Sequence, residues 1–229
     1  MAKSAALRAL LRGAAWAAGL GAAELQAVED EVQERHVDAG TTVWHEGAPA
    51  EQWMGVVDGM VKVQSVDAAG RTTVFIGVST GGWLGEGSVI KDEPLRYDVV
   101  ALETTHLALM PRATFRRLLM TSLPFNHFLI GQLNARLGQF LALTESQRNR
   151  DSLAKVAHCV AELFNPELNP QPHRDIRFSQ EEIGRLCGLS RQVASRALHR
   201  LEQEGLVSVR HGGIQVLDVA GLRRFVTLH

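Results

Sequence analysis

The sequence predicts an α+β protein in which a strand-rich N-terminal domain is joined through one long helix to a smaller helical domain. Three observations predict this class. Short β-branched runs separated by glycines fill about residues 40–110, a seven-residue apolar repeat starts after residue 123, and two capped helices precede a Gly-Gly turn at 212–213. We therefore expect a first domain at 1–122, a connecting helix at 123–150 and a second domain at 151–229.

The first domain is expected to form a β-barrel, roll or sandwich. Its predicted strands lie at 41–44, 56–57, 61–64, 72–76, 99–102 and 107–109, with glycines at the turns between them. Many short strands with glycine turns are typical of such folds. Ahead of the strands, Leu7, Leu10 and Leu11 predict an amphipathic helix. The Ala- and Gly-rich run at 13–23 is too weakly apolar to favour a cleaved secretion signal.

The connecting helix carries two apolar series spaced by seven residues. Ile130, Leu137 and Thr144 form one series, and Leu133 and Phe140 belong to the other. Such a heptad pattern is typical of a helix that packs against a second copy of itself. The alternative is a helix that packs on its own domain. We expect these five residues to form a dimer interface.

From Ser179 onwards, the second domain has a sequence typical of two helices joined at a glycine. Ser179 is positioned to cap the first helix, and Glu182, three residues later, completes a capping box. Gly188 gives the backbone freedom for the turn, and Ser190 can cap the second helix. The pattern predicts a helix-turn-helix.

The second of these helices has a basic, amide-bearing face that suits the major groove of DNA. Between Arg185 and Arg200 the chain has four arginines and no carboxylate. Arg and Gln make bidentate contacts to guanine and adenine edges. The alternative is an ordinary solvated basic face. After the helices, 207–210 and 214–216 flank the Gly-Gly turn and predict a hairpin, the wing of a winged helix-turn-helix. The candidate DNA contacts are Ser179, Gln180, Ser190, Arg191, Gln192, Ser195, Arg196 and Arg200, with Arg210 and His211 on the wing.

Charge and cysteine content agree with this interpretation. Residues 1–145 hold 12 Lys+Arg and 16 Asp+Glu, a net charge of −4, whereas 146–229 hold 12 and 9, a net charge of +3. The basic excess lies with the predicted DNA-binding domain. Cys159 and Cys187 fall at apolar helix positions and are expected to be small buried hydrophobes. No disulfide pattern, membrane span or catalytic motif is evident, which favours a cytoplasmic protein that is not an enzyme.

The whole pattern resembles the cyclic-AMP receptor protein and fumarate–nitrate regulator (Crp/Fnr) family of bacterial transcription factors. The resemblance covers about Leu20 to Leu222, and its most specific part is the run from Ser190 to Arg196. It implies a cyclic-nucleotide-binding-type β-roll (jelly-roll-like), a dimerisation helix and a C-terminal DNA-binding domain.

The resemblance also implies that Arg191, Gln192, Ser195 and Arg196 read bases. The family often has Glu at the position of Gln192. Because Gln pairs naturally with adenine and Glu accepts from cytosine, we expect a different target base at that position.

The resemblance further implies an effector site in the roll. Gly85 and Glu86 match the family's Gly-Glu motif, whose carboxylate takes a ribose hydroxyl, and Arg96 has the spacing of the arginine that meets a cyclic phosphate. With Ser88 and Tyr97 these are the candidate effector-binding residues. Tyr97 replaces a small residue, Gly87-Ser88 replaces an apolar-small pair, and Phe140-Leu141 replaces the Thr-Ser that meets the base. An internal ion pair of Arg96 with Glu86 or Asp98 is the structural alternative.

The effector therefore stays open among cyclic AMP, another small molecule or gas, and no diffusible ligand. An iron–sulfur cluster is excluded as a front-half sensor because no cysteine precedes Cys159. Haem is not expected, although His36, His45, His106 and His127 could supply an axial ligand.

The expected partners are double-stranded DNA, a second copy of the chain, RNA polymerase and an unidentified small-molecule effector, without a membrane. An activator could contact polymerase through the loop at 165–172, which is equally suited to be a plain linker. The alternative function is a nucleotide-sensing module whose helix-turn-helix contacts proteins.

Overall fold

The structure is a computed structural model that describes residues 3–148 and 151–228. Its helices are α1 Ala5–Gly13, α2 Ala22–Glu31, α3 Glu86–Lys91, α4 Arg112–Thr121, α5 Leu123–Arg148, α6 Ser152–Glu162, α7 Gln180–Cys187, α8 Arg191–Gln203 and α9 Val219–Leu228, with a 3-10 turn at Ala15–Ala17. Its strands are β1 Gln33–Val37, β2 Thr42–Trp44, β3 Gln52–Asp58, β4 Met60–Val66, β5 Thr72–Ser79, β6 Trp83–Leu84, β7 Asp98–Ala101, β8 Thr105–Pro111, β9 Asp175–Ile176, β10 Val207–Arg210 and β11 Gly213–Val216. The α+β class is as predicted.

The N-terminal strands form a β-roll of two antiparallel sheets. The strand orders are β1-β8-β3-β6 and β2-β7-β4-β5. Alternate residues of each strand point between the sheets, and Val56, Val61, Val99 and Leu107 contribute to the apolar cluster there. Four of the six predicted runs lie within strands, and the runs at 41–44 and 99–102 each extend one residue beyond β2 and β7. The sequence missed β1 because its Gln, Glu, Arg and His residues are mostly exposed and carry no apolar alternation.

The N-terminal helices pack on the roll through a cluster of aromatic rings. Trp16 follows α1 and packs edge-on against Trp83 and Phe125, and Trp53 stacks on Trp83 with ring centroids 4.2 Å apart. Leu7 and Leu11, on the apolar face of α1, are completely buried. This burial anchors α1 to the roll, as expected of an amphipathic helix. Among the described helices, none is both long enough and apolar enough to cross a membrane.

Helix α5 has two different faces. Phe125, Leu129 and Leu143 are buried against the rest of the chain. The opposite face exposes Ile130, Leu133, Leu137, Phe140 and Thr144, the residues of the predicted seam. One face therefore packs within the chain, while the other leaves an apolar stripe uncovered.

The C-terminal domain is a helical unit with a small sheet of order β10-β11-β9. Its core includes Phe178, Ile183 and Leu198. Cys159 and Cys187 are both free and buried in this core, as predicted. Burial and a hydrogen bond with Cys159 raise the pKa of the Cys187 thiol, so this thiol stays protonated.

The two domains touch directly. Lys62 on β4 donates to Glu182 on α7 at 2.8 Å, and both side chains are largely buried. The buried Asn169 side chain accepts from the Ser79 backbone N–H at 2.9 Å. Gly77 on β5 lies under Phe178, and a Cβ there would come within 2.8 Å of that ring. The C-terminal domain therefore rests on the β4–β5 hairpin through a polar contact and a close apolar contact.

Candidate DNA-binding surface and roll pocket

Local hydrogen bonds and glycines define the start of α7 and the turn between α7 and α8. The Ser179 hydroxyl accepts from the Glu182 backbone N–H at 3.2 Å, and the Glu182 carboxylate accepts from the Ser179 N–H at 3.0 Å, which completes the predicted capping box. Gly188 ends α7 in the left-handed region at φ 67°. Gly184 lies so close to the turn that a Cβ would meet the Leu189 carbonyl at 2.8 Å. The turn is therefore tightly packed.

Helix α8 is amphipathic in the way that a groove-binding helix requires. Ala194, Ala197, Leu198 and Leu201 are buried in the domain core. Its opposite face exposes Arg191, Gln192, Arg196, His199 and Arg200, and Ser195 is half-buried beside them. Ser190 caps the helix by accepting from the Val193 N–H at 3.4 Å. Ser179 and Gln180 are half-buried at the start of α7, where the Ser179 hydroxyl is already engaged in the capping box.

The positive charge of α8 is concentrated in its first half. Within the described residues, Arg191 and Arg196 have no carboxylate partner. Arg200, nearer the end, pairs with Glu204 at 3.1 Å, and Arg185 on α7 pairs with Glu181 at 2.6 Å. The N-terminal residues of a recognition helix are those that contact base edges. The free cations therefore lie where base contact is expected.

The wing stands beside this helix. Strands β10 and β11 pair from Val207 with Val216 to Arg210 with Gly213, and Gly212 occupies the turn at φ 75°. His211 is exposed at the tip. Arg210 is also exposed, but its guanidinium lies 3.7 Å from the Asp175 carboxylate. To contact a phosphate, Arg210 must exchange that partner.

Between the roll and α5, three polar side chains influence one another electrostatically. Glu86 is buried, and one of its carboxylate oxygens has no hydrogen-bond partner. Burial and the Glu86 charge raise the pKa of Tyr97 to about 12. Burial also lowers the pKa of Arg136 on α5, against the opposing charges of Glu86 and Tyr97, and its guanidinium donates to the Trp83 carbonyl at 3.3 Å. Because their charges influence one another, Glu86, Tyr97 and Arg136 mark the candidate effector site of the roll, which is called the roll pocket below.

Arg96 lies outside this pocket. Its exposed guanidinium pairs with Glu93 at 3.0 Å, so the structural alternative of an internal pair with Glu86 or Asp98 is wrong. Asp98 instead accepts from the Glu46 N–H at 2.9 Å. Gly85 is left-handed at φ 95°, which turns the chain so that Glu86 and Ser88 become buried in α3.

Sequence reasoning did not identify Arg136, which lies 50 residues from Glu86. A usable signal was present, because Arg136 is the only Lys or Arg between Arg117 and Arg148. A lone arginine in an otherwise neutral, half-apolar helix requires a polar partner when the helix packs.

Comparisons with known families agree with the two parts of the fold. Residues 34–122 match the cyclic nucleotide-binding domain family, and residues 154–225 match the Crp-like helix-turn-helix domain family. The chain is 25% identical to the transcriptional regulatory protein btr of Bordetella pertussis over 91% of this chain and 87% of that protein. It is 26% identical to the cyclic AMP receptor protein of Thermus thermophilus, over 88% and 92% of the two chains.

Solved structures share the fold. FixK2 of Bradyrhizobium japonicum superposes with a TM-score of 0.70 at 19% identity, covering 85% of this chain and 96% of FixK2. The regulator CLP of Xanthomonas campestris gives a TM-score of 0.64 at 24% identity, covering 86% and 100%. Together, the surface and these matches define a transcription regulator with a helix-turn-helix DNA-binding domain. The chain belongs to the Crp/Fnr family.

Proposed function

We propose that the chain acts as a homodimer that reads a palindromic DNA site under the control of a signal sensed in the roll. The observation that carries the dimer is the stripe on α5. Ile130 is 58% exposed and Leu137 is 57% exposed, and Leu133 and Phe140, each three residues further along, are also exposed. Exposed apolar residues at heptad spacing gain most from burial against an identical helix. A two-fold axis along α5 would present two α8 helices to half-sites about 34 Å apart.

Each protomer would read its half-site through Arg191, Gln192, Ser195 and Arg196. The free guanidinium groups of Arg191 and Arg196 can each take a guanine edge in a bidentate contact, and Gln192 can take an adenine. Arg200, Arg210 and His211 would hold the backbone, with Ser179, Gln180 and Ser190 near the phosphates. Contacts to phosphate strengthen binding without carrying sequence information.

Signal control is proposed to act through the roll pocket. A ligand that donates a hydrogen bond would satisfy the unpartnered Glu86 oxygen, and an anionic group would suit Arg136 once it leaves the Trp83 carbonyl. Cyclic AMP combines both properties and is the first ligand to test. Arg96 would have to turn inward from Glu93 to take part. Movement of α5 would then reach the DNA-binding unit through α6, whose Glu162 carbonyl accepts from the Gln139 side chain of α5 at 3.3 Å.

Activation would also need contact with RNA polymerase. The loop at 165–172 is anchored to the roll by Asn169, and its exposed edge consists of Pro166, Glu167, Pro170 and Gln171. This edge is the proposed contact surface.

Selection from a fully randomised DNA pool, with and without cyclic AMP, tests the proposal. We expect enrichment of a two-fold symmetric site, and enrichment only with the nucleotide would identify cyclic AMP as the signal. The double variant Leu133→Glu, Leu137→Glu should be monomeric by light scattering and lose the symmetric site. Met120→Glu, which changes an exposed apolar residue on α4, is the matched control and should retain it. Tight palindrome binding by the monomeric variant would refute the dimer proposal.

A further inference from the structure

Two histidines face each other across the first sheet of the roll. His36 on β1 and His106 on β8 are direct partners in the antiparallel register, and their rings stack with centroids 4.0 Å apart. Glu34 lies two residues before His36, so it shares the same face of the strand. On β8, Leu107 and Leu109 point into the roll interior, which puts His106 on the outer face of the sheet. The group is therefore separate from the roll pocket.

Both oxygens of the Glu34 carboxylate are held by contacts. Its Oε1 accepts from the Ser4 backbone N–H at 2.7 Å, and its Oε2 lies 2.9 Å from His106 Nε2. The carboxylate is thus held in one orientation by contacts from two different elements.

His36 differs from its partner in having no hydrogen bond to either ring nitrogen among the described residues. It is exposed, whereas the His106 and Glu34 side chains are 9% and 18% exposed. One ligand atom from each of the three residues lies within 4.8 Å of the other two. An ion arriving from solvent could therefore meet His36 first and then the two buried groups.

We propose that Glu34, His36 and His106 form a binding site for a divalent transition-metal ion, with Zn²⁺ as the preferred ion. Two imidazoles and one carboxylate suit zinc and its first-row neighbours, whereas Ca²⁺ and Mg²⁺ prefer oxygen ligands only. On binding, the His106–Glu34 hydrogen bond is replaced by a bond from each residue to the ion. Water completes the coordination on the exposed side.

The ion would clamp an edge strand. β1 pairs only with β8 within the described residues, and Glu34 also holds the start of α1 through Ser4. A metal bond between β1 and β8 adds a cross-link that the unfolded chain lacks. Metal binding to the folded state therefore raises its stability with the free ion concentration.

Titration of the full-length protein with Zn²⁺, by calorimetry and thermal unfolding, tests the site. We expect one ion per chain and a higher midpoint temperature. His36→Gln changes an exposed residue and should lower the affinity by about tenfold or more, since even residues behind a metal ligand contribute that much. Glu34→Gln retains an oxygen for the Ser4 N–H but loses the charge, and should also weaken binding. The exposed His45→Gln is the matched control and should bind as the parent does.

Cobalt(II) gives a second readout. Its absorption spectrum should report nitrogen and oxygen ligands and lack thiolate bands, because Cys159 and Cys187 lie in the other domain. Equal zinc affinity in the parent and His36→Gln, or a thiolate spectrum, would overturn the proposal. None of these measurements involves DNA, so their outcome is independent of the proposed regulatory function.

Discussion

Replacing Arg196 by Ala separates base reading from simple electrostatic attachment. Arg196 is exposed in the first half of α8 and has no carboxylate partner among the described residues, so its charge is available to DNA without breaking an ion pair. Arg210 on the wing is the contrasting position, because Asp175 lies 3.7 Å from it and must be exchanged. Replacing each of the two arginines by Ala should therefore weaken DNA binding in a different way.

The two substitutions should change different measured quantities, namely the base preference and the salt dependence of DNA binding. Loss of a bidentate guanine contact should cost about 1–3 kcal/mol per half-site and relax the preference at that base pair. Loss of a phosphate contact should lower the slope of log K against log salt by about 0.9 per protomer, or about 1.8 for a dimer, with little change of preference. Arg196→Ala should behave in the first way and Arg210→Ala in the second.

Fluorescence anisotropy at four or five salt concentrations measures both quantities, using the selected site and a scrambled duplex. Arg8→Ala is the matched control, since Arg8 is exposed on α1 far along the chain from the DNA-binding domain. If Arg196→Ala weakened binding to both duplexes equally, with only the salt slope changed, α8 would not read bases through this residue.

Three further changes follow from the same structure. Gln192→Glu should shift the selected base at one position per half-site from adenine towards cytosine, and an unchanged selection would remove Gln192 from base reading. In a double-mutant cycle of urea unfolding, Lys62→Met and Glu182→Gln should show an interaction free energy of about 0.5–3 kcal/mol. Additive changes in the free energy of unfolding would mean that the Lys62–Glu182 pair does not stabilise the protein. Although burial would raise the pKa of Glu182, hydrogen bonds from Lys62 and Ser179 lower it, so the coupling should be present at neutral pH and lost as pH falls through that lowered pKa. Ser179→Ala should destabilise the DNA-binding domain by about 1 kcal/mol, seen as a lower midpoint temperature, and an unchanged midpoint would deny the capping box a role in stability.

The helix-turn-helix could be predicted closely because its signals are local. A serine and a glutamate three residues apart specify a capped start, and Gly188 specifies a turn, whatever the rest of the chain does. The heptad stripe on α5 is equally local, and the structure exposes it. Strand β1 was missed because an exposed edge strand need not alternate between apolar and polar residues.

The roll pocket could not be predicted in the same way. The family resemblance implied Arg96, yet the loop turns its side chain outward to Glu93, and the arginine whose charge interacts with Glu86 is Arg136 on α5. Which charged side chains meet depends on how elements that are distant in sequence pack together. The number of residues between them therefore does not decide which of them meet.

By itself, the sequence determined the order of domains, the capped helices, the glycine turn and the basic face of α8, since each depends on interactions within a few residues. Only the tertiary structure decided that Lys62 meets Glu182, that Arg136 faces Glu86 and that His36 lies opposite His106. The last of these depends on strand register. A slip of one residue would carry His36 to the other face of the sheet, and burial of the roll interior is what selects the observed pairing.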